Sequence, residues 1–225
     1  MAEWEGMRAP LKRWAGDLLH RGMDGVIRIG AIGPDSARGR RFGKFGAGSV
    51  ICFPYVSLFG ERWMWIGSGT RFGPYLSLSV GMVPDQVMVN DPVIRIGDRC
   101  VIGKGAGIVG HHSIDIGDDV WTGHNVYITD QNHDYHDLDL PIGAQFAPER
   151  PVRIGAGSWL GHGVVVLPGA TIGSHVAVGA GSVVTGELPD NCVAAGVPAR
   201  VLRQWDPVAG WTSPSGQNGA EATVP

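Results

Sequence analysis

Ile154-Gly-Ala-Gly-Ser-Trp-Leu160-Gly-His-Gly-Val-Val-Val166-Leu-Pro-Gly-Ala-Thr-Ile172-Gly-Ser-His-Val-Ala-Val178-Gly-Ala-Gly-Ser-Val-Val184 places an aliphatic residue at every sixth position. Glycine follows at Gly155, Gly161, Gly173 and Gly179, and four residues after each aliphatic stands Ser158, Val164, Ala170, Val176 or Ser182. A period of six fits neither a helix nor an ordinary hairpin. It fits a short strand and a tight corner, with the aliphatic side chain pointing into a prism and small residues turning the chain. Three such sides close a coil of about eighteen residues, and stacked coils bury a continuous aliphatic ladder.

The same phase runs outward from this stretch. Ile96-Gly97, Ile102-Gly103, Ile108 and Ile114 share it, and after a two-residue slip it resumes at Ile116-Gly117, Thr122-Gly123 and Ile128. Ile66-Gly67 and Phe72-Gly73 are earlier turns, with weaker ones near Phe45-Gly46 and Ile51. The fold class is therefore all-β, a parallel β-helix over residues 26–206. The chain has 36 glycines in 225 residues and is still 44% hydrophobic, so its glycine belongs to a packed repeat rather than to a disordered or collagenous chain.

The ends break the pattern. Trp4, Met7, Leu11, Trp14 and Leu18 form one apolar helical face, and residues 1–25 read as an amphipathic helix capping the open end of the prism. Contact with a membrane surface is the less favoured reading of that face. Ala199 to Trp205 reads as a short C-terminal helix and 207–225 as a disordered tail.

A formal net charge of -3 gives no reason to expect nucleic acid as a partner. Cys52, Cys100 and Cys192 make neither a disulfide framework nor a zinc pattern, which fits a reducing cytosol, so a cytoplasmic location is expected. No apolar run has the length of a membrane span, and no signal-peptide core opens the sequence.

Between Ile128 and Val152 the repeat stops. The insertion, residues 129–151, begins Thr129-Asp-Gln-Asn-His133-Asp-Tyr-His136-Asp-Leu-Asp-Leu-Pro141. A long polar loop in a compact repeat is a candidate for function.

From Ile116 to Arg203 the chain resembles the hexapeptide acyltransferases typified by the galactoside and maltose O-acetyltransferases. The resemblance rests on Asn125-Val-Tyr-Ile-Thr-Asp-Gln-Asn-His133, on Val152-Arg-Ile-Gly-Ala-Gly-Ser-Trp-Leu-Gly161, on Val178-Gly-Ala-Gly-Ser-Val-Val-Thr185 and on Val193-Ala-Ala-Gly-Val-Pro-Ala-Arg200. It implies a left-handed β-helix, a homotrimer with active sites between subunits, a coenzyme A thioester as co-substrate, and the loop histidine, here His133, as catalytic base. By position it also implies coenzyme A contacts from Gly161, His162, Ala180 and Thr185, with Arg200 and Arg203 toward the nucleotide phosphates. Gly186 stands where such enzymes often carry lysine. The family's sugar-holding asparagine and aspartate fall near Gly103 and His111, so the acceptor pocket differs.

The chemistry of the residues agrees. Acyl transfer from a thioester to an alcohol needs a proton removed from a weak nucleophile, and an imidazole with a pKa of about 6.5 suits that task. The second ring nitrogen needs an acceptor, for which Asp130, Asp134 or a backbone carbonyl is available. A backbone N–H from the coil around Trp159 to His162 is expected to meet the oxyanion. Trp121, Asn125, Asp130 and Trp159, with His111, are candidates to hold a carbohydrate acceptor through stacking and hydroxyl contacts. The histidines lack the spacing of a β-helix zinc site, so no metal is expected. The function read from the sequence is acyl-CoA-dependent O-acylation of a sugar, glycoside or glycolipid precursor. The alternatives are N-acylation of an amino sugar or antibiotic, and a non-catalytic scaffold.

Overall fold

A computed structural model describes residues 9–213, with side chains from Lys12 onward. Its strands lie on three faces. Face 1 contains Lys44–Phe45, Met64–Ile66, Ile94–Ile96, Ile114–Ile116, Val152–Ile154, Thr171–Ile172 and Glu187–Leu188. Face 2 contains Val50–Ile51, Arg71–Phe72, Val101–Ile102, Trp121–Thr122, Trp159–Leu160, Ala177–Val178 and Cys192–Gly196. Face 3 contains Ser57–Phe59, Ser77–Val80, Gly107–Gly110, Tyr127–Thr129, Val165–Val166 and Val183–Val184. Along every face these strands pair in parallel with the coil before and after, as the left-handed parallel β-helix expected from the sequence requires.

The sixth-position ladder is the core. Ile154 pairs with Ile172, Leu160 with Val178 and Val166 with Val184, each one coil on, and all six side chains are buried. Strands this short have no independent stability; burying each aliphatic side chain contributes roughly 1.5–3 kcal/mol, and stacking makes that burial continuous.

Two kinds of corner position do different work. Where glycine follows the aliphatic the neighbouring coil is close: a Cβ on Gly155 would lie 2.4 Å from the carbonyl carbon of Gly173. The left-handed backbone comes two residues later, at Gly157 and Gly163 and also at Asp119, Asn125 and His175.

The interruptions from the third coil onward gather at one corner. Inward residues step by six from Ile96 to Ile102 to Ile108 and from Ile116 to Thr122 to Ile128, and the extra residues follow in 81–93, 110–113 and 130–151. All three loops join face 3 to face 1, so they stack on the same edge of the prism.

Both ends differ from the sequence expectation. The N-terminal helix, α1, spans Ala9–Gly30, and Trp14 and Leu18 on its apolar face are exposed; Trp4 and Met7 lie outside the described residues. The first coil is closed instead by residues 31–43, where Ile32 bridges Ile51, Phe42 packs on Phe45, and Arg38 and Arg41 pair with the buried Glu61. At the other end the expected short helix is a strand. Ala199–Asp206 pairs antiparallel with Cys192–Gly196 and then with Gly210–Thr212. The last coil leaves an unpaired edge, and a returning strand satisfies its backbone where a helix would not. Residues 207–213 continue this pairing, and the rest of the expected tail lies outside the described residues.

Candidate active site

The insertion is a two-legged hairpin rather than an open loop. The Arg150 N–H donates to the Asp130 carbonyl (3.0 Å), Ala147 to Asn132 (3.1 Å) and Asp134 to Gln145 (3.1 Å), and His133 bridges Phe146. The buried Asp130 carboxylate anchors its base. It accepts the backbone N–H groups of His111, His112 and Ser113 at 2.8, 2.8 and 2.7 Å, tying the insertion to the corner one coil earlier. Asn90 extends the tie to the loop before that, donating from Nδ2 to the His112 carbonyl at 2.8 Å.

His133 stands exposed on this hairpin. Its Nδ1 lies 3.0 Å from the Gln145 carbonyl oxygen, and its ring packs against Phe146 with centroids 5.4 Å apart. A carbonyl only accepts, so Nδ1 is the donor in this bond, and Nε2 is the ring nitrogen left for other partners. Gln145 is held in turn. Its buried side chain donates from Nε2 to the carbonyls of Asp137 (2.7 Å) and Leu140 (2.9 Å), and Oε1 accepts from the Asp137 N–H (3.1 Å). The loop tip is folded around this amide.

The two expected orienting carboxylates are engaged elsewhere. Asp130 caps three backbone amides, and Asp134 is bonded to His136 Nδ1 and to the amides of Tyr135 and His136. That bond from His136, followed by the Tyr135 amide, lowers the Asp134 pKa below the ordinary carboxylate value. The third acceptor considered in the sequence, a backbone carbonyl, is the one that orients the His133 ring.

The acceptor and donor candidates divide over the molecule. His111 lies at the corner that Asp130 ties to the base of the insertion; its side chain is 10% exposed and Nδ1 is 3.7 Å from Glu149 Oε1. Trp121 and Trp159 are register partners on adjacent strands of face 2, both exposed, and Asn125 follows in left-handed conformation at the next corner. Face 2 lies across the prism from the edge that carries His133. Gly161 and Ala180 meet between adjacent coils, since a Cβ on Gly161 would lie 2.6 Å from the Ala180 nitrogen, and the Gly181 N–H donates to the His162 carbonyl. Thr185 and Arg200 line one cavity of about 180 Å³, while Arg203 sits opposite Val193 on face 2. The backbone N–H groups of Trp159 and Gly161 are spent on Val176 and Val178, so neither is free to meet an oxyanion. No three His, Cys, Asp or Glu side chains converge on a metal position among the described residues.

Gln145, Glu149 and Asn90 were not singled out by the sequence. Gln145 acts through its carbonyl, which every residue possesses, so composition carried no signal for it.

Two family models match the chain: one described as Bacterial transferase hexapeptide (six repeats) over residues 151–186, and one described as Hexapeptide repeat of succinyl-transferase over residues 93–130. An Escherichia coli K12 protein named as the lipopolysaccharide biosynthesis O-acetyl transferase WbbJ is 35% identical over 60% of this chain and 72% of its own length. The Escherichia coli K12 galactoside O-acetyltransferase is 39% identical over 49% of this chain and 54% of its own. A Mycobacterium tuberculosis protein named as an acetyltransferase is 38% identical over 53% of this chain. The chain spans only 40% of that relative and about half of the galactoside enzyme. Among solved structures, AntD, an N-acyltransferase from Bacillus cereus in complex with dTDP and 3-hydroxybutyryl-CoA, aligns over 73% of this chain and 84% of its own at 22% identity, with a TM-score of 0.55. That likeness concerns the fold.

Proposed function

The chain belongs to the hexapeptide-repeat acyltransferases, and from that premise we propose that it transfers an acetyl or longer acyl group from a coenzyme A thioester to a hydroxyl of a sugar, glycoside or glycolipid precursor. The observation that carries the reading is the His133 Nδ1 to Gln145 carbonyl bond, which presents Nε2 as a base. Nε2 takes the proton of the acceptor hydroxyl as its oxygen attacks the thioester carbonyl. The tetrahedral intermediate collapses, the C–S bond breaks, and the departing thiolate regains the proton from the imidazolium. The thioester is already activated, so no covalent enzyme intermediate is required.

The acyl-CoA donor would use the regular C-terminal coils. Gly161 is buried against Ala180, so of this pair the exposed Ala180 would face an extended pantetheine arm, and Thr185 with Arg200 lines a small cavity. His133 and the Trp121–Trp159 pair lie on opposite sides of one prism, so a site using both is completed by a neighbouring copy. This supports a homotrimer with shared sites, the acceptor held by Trp121, Trp159 and His111.

Thiol release from acetyl-CoA and octanoyl-CoA, measured over a panel of sugars, glycosides and amines, tests the assignment. Acceptor-dependent release with a base-labile ester product is expected. A base-stable amide would reassign the acceptor to an amine, and no release with any donor would leave a scaffold.

A further inference from the structure

The helix α1 is not absorbed by the site or by the core. Trp14, Leu18, Leu19, Met23, Val26, Ile27 and Ile29 on it are between 43% and 88% exposed, in a region where a soluble surface seldom leaves so many large apolar side chains together. The helix stands off the prism. An apolar trough of about 720 Å³ opens between Trp14, Leu18, Met23 and Val26 on one side and Phe53, Pro54 and Tyr75 on the other.

The charges on α1 distinguish among occupants. Residues advance by about 100° each around a helix. On that wheel Arg21 and Arg28 border the apolar face beside Trp14, and Arg13 and His20 border it beside Ile27. Asp17 and Asp24 fall between them, at the pole farthest from the apolar face. The helix carries Arg13, Arg21 and Arg28 on its borders and Lys12 within the apolar arc, between Leu19 and Met23, against these two aspartates, in a chain of net charge -3. Basic residues on both borders with acids at the far pole suit a helix lying in an anionic lipid interface: the apolar face enters the acyl layer, arginine stems reach up to phosphates, and the acids remain in water. No helix among the described residues is long and apolar enough to cross a membrane, so the contact is a surface one.

We propose that α1 docks the enzyme on an anionic lipid surface, with the trough against Phe53, Pro54 and Tyr75 taking acyl chains. The inference is independent of the acyl-transfer reading. Its test is co-sedimentation of the full chain with vesicles of phosphatidylglycerol and phosphatidylcholine, against vesicles of phosphatidylcholine alone. Binding to the anionic vesicles is expected, weakening by about fivefold or more for each of Arg21→Glu and Arg28→Glu and with added salt. Leu18→Asp, at an exposed position, is expected to abolish it while thiol release without vesicles is kept. Wild-type protein that stays in the supernatant overturns the proposal. So does a Leu18→Asp protein that binds vesicles normally but shows a lower assembly mass by light scattering, because a second copy would then cover the face.

Discussion

His133 and Gln145 are joined through a ring nitrogen and a main-chain oxygen 3.0 Å apart, and the Gln145 side chain holds that oxygen in place by bonding the loop tip on both its amide atoms. The His133 ring is therefore positioned by Gln145, whose own side chain is spent on the loop tip. Gln145→Leu removes the three side-chain bonds and keeps the carbonyl. Turnover is expected to fall by about 10- to 100-fold, as small misplacements of a catalytic group do, with little change in the acyl-CoA KM. Steady-state kinetics with varied acyl-CoA check this, and an unchanged turnover would detach Gln145 from the base.

Asp130 is a structural anchor. Its carboxylate is fully buried and neutralises three amide donors of the preceding corner. Asp130→Ala strands those donors, and a loss of about 2–4 kcal/mol is expected from charge-assisted bonds to a buried acceptor. Urea unfolding of the variant would read it; a loss below about 0.5 kcal/mol would mean that water replaces the carboxylate.

The coil spacing makes a paired prediction. Gly155→Ala drives a Cβ into the backbone of Gly173, whereas Gly186→Ala meets nothing within 4 Å. The first is expected to cost about 1–3 kcal/mol and the second close to nothing. Equal melting temperatures for the two variants would mean that the coils can separate freely.

Shared sites can be tested by mixing. His133→Ala and Trp159→Ala chains are each expected to be weakly active alone. Co-assembled at random, about a quarter of the sites in a cyclic oligomer would pair an intact His133 with an intact neighbouring Trp159. Activity returning toward that level supports a site built by two copies. Activity no higher than the average of the parents would place the site within one chain.

Much of the fold was legible because the repeat is a local rule. Ile154, Leu160 and Val166 mark their own faces, and the break after Ile128 marks the edge that carries the insertion. His133 was legible as a titratable group in a polar insertion. A backbone carbonyl was among the partners expected for its ring, but not that it would be Gln145's, because a hydrogen bond to the main chain leaves no trace in residue identity. The ends were misread for a related reason. Ala199 to Trp205 has residues that suit a short helix, but the unpaired edge at Cys192–Gly196 is a tertiary feature, and it draws the segment into a strand. Asp130 and Asp134 looked interchangeable in the sequence, yet one faces three buried amides and the other faces His136.

The most direct measurement is thiol release by purified His133→Ala beside the wild-type chain, with acetyl-CoA and octanoyl-CoA and an acceptor that the wild type uses, at equal assembly mass. Loss of the general base is expected to lower turnover by about 10²- to 10⁴-fold. Near-wild-type turnover from an intact His133→Ala assembly would contradict the mechanism.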